Sequence, residues 1–185
     1  MIDSLLPRPI ADRFRKRINR APSPVLAIGV PWVTIMLASL SPAWPVLASA
    51  PVLPPFGFML LLAWRQGHPG ILPVWAGLPL GAFDDVYSGQ PLGSAVLLWS
   101  LTIMLLELVE ARFPWRNFLL DWLAASVLIA VYLVASLLLA NAAGASASLA
   151  ILAPQAITAV FLFPLAGRLV AMFDRFRLLR FVEID

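Results

Sequence analysis

Apolar residues dominate this chain in long runs rather than in alternation, and most charges and turn residues fall between the runs. A helix needs about 20 apolar residues to cross a hydrocarbon core about 30 Å thick. Runs of that order stand near 24 to 43, 46 to 64, 70 to 88, 91 to 110, 117 to 140 and 147 to 172, which predicts about six transmembrane helices and an all-α polytopic membrane protein. Pro42, Pro45, Pro51, Pro54 and Pro55 blur the border between the first two runs, leaving an interfacial or re-entrant segment as an alternative there.

Charge placement tests this division independently of hydropathy, because cytoplasmic loops carry the excess of Lys and Arg. Six basic residues from Arg8 to Arg20 precede the first run, Arg65 follows the second, Arg112 and Arg116 follow the fourth, and Arg168, Arg175, Arg177 and Arg180 close the chain. The three opposite loops hold none. Both termini are therefore expected in the cytoplasm, with a basic arm at 1–23, one six-helix domain at 24–172 and a tail at 173–185. Leu6, Ile10, Phe14 and Ile18 recur every four residues between the basic residues of the arm. This suits either an amphipathic helix on an anionic inner leaflet or an unstructured positive flank. "VLASA" at 46–50 resembles a signal-peptide cleavage site, but Pro51 disfavours cleavage, so the first span is expected to be retained.

Composition agrees with a bilayer as solvent: 61% of residues are hydrophobic and only 12% are charged, about half the charged fraction usual in soluble domains. Seventeen prolines predict short, kinked or broken helices. The absence of cysteine excludes disulfides and thiolate chemistry, and the single histidine, His68, has no second histidine with which to build a metal site. The basic ends are explained by topology, without nucleic acid.

The stretch "GLPLGAFDDVYSGQPLG" at 77–93 departs from a plain membrane span. At about 100° per residue, Gly77, Gly81, Asp84 and Ser88 share one narrow helical face, with Asp85 to one side of it. The GxxxG spacing of Gly77 and Gly81 lets a neighbouring backbone approach closely. Asp84 is expected to accept hydrogen bonds inside that interface, and Asp85 to face outer water or a cavity. Gly89 supports a tight turn and Pro91 opens the next helix, so the segment predicts a helical hairpin. Intramembrane acids also mark ligand contacts or proton transfer, and those readings stand beside structural hydrogen bonding. Elsewhere Glu107, Asp121 and Arg168 lie at the inner ends of their spans. They suggest either an ion pair of Arg168 with one of the acids or snorkelling of each to the interface.

Catalytic readings find little support. "DDVYSG" invites comparison with carboxylate pairs that hold a diphosphate through Mg²⁺, but the outer side has no Lys or Arg for the phosphates. A serine protease built on Ser88 would need His68 as its base, and that residue belongs to the opposite side. No cofactor is implied.

Residues 53–93 resemble the core of the rod shape-determining protein MreD in its alphaproteobacterial form. The likeness lies in a Pro-rich lead-in with Phe56 and Phe58, the Trp64-Arg65 end of the second span, and the pattern Gly77, Gly81, Asp84, Gly89, Pro91, Leu92 and Gly93. The resemblance implies a non-enzymatic inner-membrane component of the peptidoglycan-elongation machinery. It also implies association with MreC and, through it, with MreB, RodA and a class B penicillin-binding protein. It further implies a fold similar to the substrate-capturing subunits of energy-coupling-factor transporters, which supplies the alternative of a vitamin-uptake subunit. The A-x-x-x-A spacing such subunits show in the first span is missing between Val25 and Leu40.

Overall fold

The computed structural model describes residues 24–43, 53–112 and 117–177. Among these, every regular element is helical: α1 Pro24–Ser39, α2 Phe56–Gly67, α3 Gly77–Ser88, α4 Ser94–Arg112, α5 Phe118–Ala142 and α6 Leu152–Arg177. Single 3-10 turns at Ser41–Ala43, Val74–Ala76 and Leu149–Ile151 follow α1 and precede α3 and α6.

Neighbour relations close a ring, with α1 against α3, α3 against α4, α4 against α5, α5 against α6, and α6 back against α1. The short α2 stands inside it, packed chiefly on α1 and α6 and also touching α4 and α5. Every residue from Gly57 to Gln66 except Leu60 is buried, the pattern of a helix surrounded on all sides rather than one with a single apolar face. Phe58 stacks on Tyr132 of α5 at 4.1 Å between ring centroids, and Trp64 donates from Nε1 to Thr34 Oγ1 of α1 at 2.9 Å. These contacts tie α2 to opposite parts of the ring.

The outer faces of α4, α5 and α6 are largely apolar and exposed, with Leu101, Val127, Leu138 and Phe161 among them, as suits contact with lipid tails. Among the described residues, three segments are long and apolar enough to cross a membrane: Ser94–Arg112, Phe118–Ala142 and Leu149–Arg177. The apolar part of α1, Val25–Ser39, is shorter.

The limits of the second and third runs differ from expectation. Pro54 and Pro55 delay α2 to Phe56, and the helix then continues beyond its expected end at Trp64, through Arg65, to Gly67. The expected residues 46–52 lie outside the described ones. The third run begins with a 3-10 turn after Pro73 and becomes α-helical only at Gly77. At about 1.5 Å per residue, α2 and α3 each reach about 18 Å, short of a full crossing. The last helix continues to Arg177, beyond its expected end at residue 172. The proposed amphipathic arm lies outside the described residues. Asn141 closes the small-residue loop after α5, donating from Nδ2 to the Ala147 carbonyl and accepting from its N–H, both at 3.0 Å.

Candidate functional site

The α3–α4 hairpin is held by backbone contact. A Cβ on Gly77 would lie 2.7 Å from Cα and N of Ser100, and one on Gly81 would lie 2.7 Å from the same atoms of Val96. No side chain fits at either position without separating the helices. The third member of this i, i+4 series is Asp85, not Asp84. Asp85 is 3% exposed. Its Oδ1 accepts from Ala95 N at 2.8 Å and Ser94 Oγ at 3.1 Å, while Oδ2 accepts from Gly93 N at 2.8 Å and Val96 N at 3.3 Å. The amides of Ala95 and Val96 belong to the first turn of α4 and that of Gly93 stands just before it, where helix N–H groups lack intrahelical acceptors and the helix dipole favours negative charge. One carboxylate thus caps the helix across the hairpin.

The turn between the helices is built for this. Gly89 ends α3 with φ of 69° and Gly93 precedes α4 with φ of 94°, both in the left-handed region that suits glycine. Ser88 Oγ accepts from Gln90 N at 3.4 Å, and the Ser94 N–H donates to the Pro91 carbonyl at 3.0 Å. Ser88 therefore serves the turn, away from the glycine contact with α4.

Asp84 occupies another side of α3 and is also buried, at 7% exposure. It meets α1 and α2 at Gly57, around whose missing side chain Ser39 Oγ, Asp84 Oδ1 and the Trp99 ring converge. Asp85 thus takes the place on the glycine contact expected of Asp84 instead of facing outer water or a cavity, and Asp84 is buried toward α2. The reason is geometric. Helices pack along ridges of i and i+4 residues, so the contact line drifts from Gly77 through Gly81 to Asp85 instead of following the centre of a straight helical wheel. The two carboxylates thus serve different neighbours, Asp85 the start of α4 and Asp84 the space beside Gly57. No group of three or more His, Asp or Glu suited to a metal occurs among the described residues.

A second polar cluster lies at the other end of the bundle, where α2, α4 and α6 terminate. Arg65, 2% exposed, sends Nη1 to within 3.1 Å of Glu110 Oε2 and Nη2 to within 3.4 Å of Glu107 Oε2. Asp174 lies 3.2 Å from His68 Nε2 and 2.7 Å from Arg177 Nη2. The Arg177 guanidinium also sits 6.0 Å from the Trp64 ring centroid, a cation–π distance, and donates to the Ala27 carbonyl at 3.4 Å. The cation that meets Glu107 is therefore Arg65, and Arg168 instead is exposed and borders a cavity with Asp121. Arg65, Asp174 and Arg177 escaped notice as site residues because hydropathy assigned them to a loop and a tail. The available signal was that no glycine or proline separates Arg65 from the apolar run ending at Trp64, so the helix carries it inward.

Comparison with known proteins returns one description. The family model of the rod shape-determining protein MreD matches residues 25–176. No curated protein and no solved structure matches the chain.

Proposed function

This chain belongs to the MreD family of rod shape-determining proteins, and from that premise we propose that it is a non-enzymatic subunit of the peptidoglycan-elongation complex in the bacterial inner membrane. In this reading it holds MreC directly and, through it, MreB, RodA and a class B penicillin-binding protein. The observation that carries the reading is the family match, which extends over nearly all of the described helices. The arrangement of the acids supports a scaffold rather than a reaction centre. Asp85 spends both oxygens on the backbone and hydroxyl donors of α4, and Asp84 packs beside Gly57, Ser39 and Trp99.

The six helices cross or enter the membrane with both termini cytoplasmic, and the Arg65 and Asp174 clusters lie at the cytoplasmic end. MreC's single membrane helix docks on a lipid-facing surface of the ring. The test is depletion in the native host together with co-purification of MreC. Rounded cells and a stable MreC complex are expected. Normal rods with a defect in vitamin uptake would instead favour the transporter-subunit alternative, for which no solved structure offers support.

A further inference from the structure

A cavity of about 500 Å³ opens between the C-terminal end of α2, the N-terminal end of α5 and the second half of α6. His68, which pairs with Asp174, stands at its edge, and the α3–α4 hairpin and the Arg65 cluster lie outside it. Its size falls within the range of small-molecule and lipid sites, roughly 300 to 1,000 Å³. Most of its wall is apolar, with Phe118, Trp122 and Phe163 among the lining residues. Two strong hydrogen-bonding groups in the wall have no partner. Gln66 is 7% exposed and its side-chain amide forms no hydrogen bond with the described residues. Arg168 forms no ion pair with them.

The Gln66 amide is open to the cavity rather than sealed in the core, and a cationic side chain beside an apolar slot at the end of a helical bundle matches the head and tail of an amphiphile. We infer that this cavity holds a diacyl phospholipid, with its phosphodiester on the Arg168 guanidinium and the Gln66 amide and part of an acyl chain along the aromatic wall. Arginine suits the headgroup because its planar fork pairs with phosphate oxygens in two places. The site lies at the end of the bundle that carries the basic residues, where pockets between helices recognise lipid headgroups. Trp122 is anchored by donation from Nε1 to the Val160 carbonyl at 3.0 Å, which holds that part of the wall in place before any lipid arrives. Asp121, which also lines the cavity, has a partner of its own.

Gly167 supplies a clean way to close the cavity, because it lines the space and a Cβ there meets no atom within 4 Å. Gly29 of α1 is equally open but lies elsewhere, which makes Gly29→Leu the matched control. The full chain, purified in detergent and exposed to phosphatidylglycerol, is examined by native mass spectrometry. One retained phospholipid per chain is expected. Gly167→Leu should abolish its retention while Gly29→Leu leaves it intact, and Arg168→Gln should weaken it about tenfold, the effect of one charge-assisted contact. Diacylglycerol, which lacks the phosphate, should be retained no better by the wild-type chain than by Arg168→Gln. Inorganic phosphate should not displace the bound lipid. Equal retention by the Gly167→Leu and Gly29→Leu chains, equal retention of diacylglycerol and phosphatidylglycerol, or displacement by phosphate would each overturn the assignment. If Gly167→Leu does not fold, the Arg168→Gln and diacylglycerol comparisons still decide. The outcome is independent of MreC capture, so the two readings stand or fall separately.

Discussion

Arg65 shows how a single residue's position changes its chemistry. As a loop residue it would only orient the chain; in the structure its side chain is 3% exposed and faces Glu107 and Glu110, whose side chains are 53% and 20% exposed. The three groups therefore differ in their recourse to water. Removing the arginine leaves Glu107 half in water and Glu110 with an interaction besides Arg65, at a cost of about 1 kcal/mol or less. Removing both acids strands a buried guanidinium, at about 3–5 kcal/mol. Glu107→Gln with Glu110→Gln is thus expected to lower the melting temperature of the detergent-solubilised protein well below that of Arg65→Met. The opposite order would show that the cluster is not held from the arginine side. Gly57 is a second residue whose role the sequence hides. It occupies an ordinary helical position, and only the folded ring reveals that Ser39, Asp84 and Trp99 meet where its side chain would be.

At the level of elements, hydropathy located α4, α5 and α6 closely, since each is a long apolar run with few internal turn residues. It was poor at α2 and α3, where closely spaced prolines and the 3-10 turn at Val74–Ala76 decide where the helix begins. The hairpin itself was legible from Gly77, Gly81, Gly89 and Pro91. Which aspartate joins α4 was not, because a helical wheel omits the direction in which two helices cross. The hairpin separates neighbouring positions sharply: Gly81 touches the backbone of Val96, whereas Ala82 is exposed. Gly81→Leu must push α4 away, and overpacking of this kind costs about 1–3 kcal/mol or more; Ala82→Leu adds apolar surface facing outward. The first variant is expected to lose thermal stability and MreC capture, and the second to keep both. Matching losses in the two chains would refute backbone contact as the basis of the hairpin.

For the whole molecule, the absence of cysteine makes topology directly measurable. Ala145→Cys lies in the exposed loop between α5 and α6, and Arg112→Cys at the exposed end of α4. A membrane-impermeant maleimide applied to spheroplasts is expected to label the first and spare the second until the membrane is opened. The reverse labelling would invert the proposed orientation. The enclosed position of α2 has a further consequence, for biosynthesis. This helix spans about 18 Å, carries Arg65, and finds one of its two main neighbours in α6, at the far end of the chain. It is poorly suited to partition into lipid on its own as it leaves the ribosome. Its final seat exists only after the last helix has been made, so the molecule must mature from a partly open assembly, and a nascent chain stopped before α6 would expose the very residues that form its core.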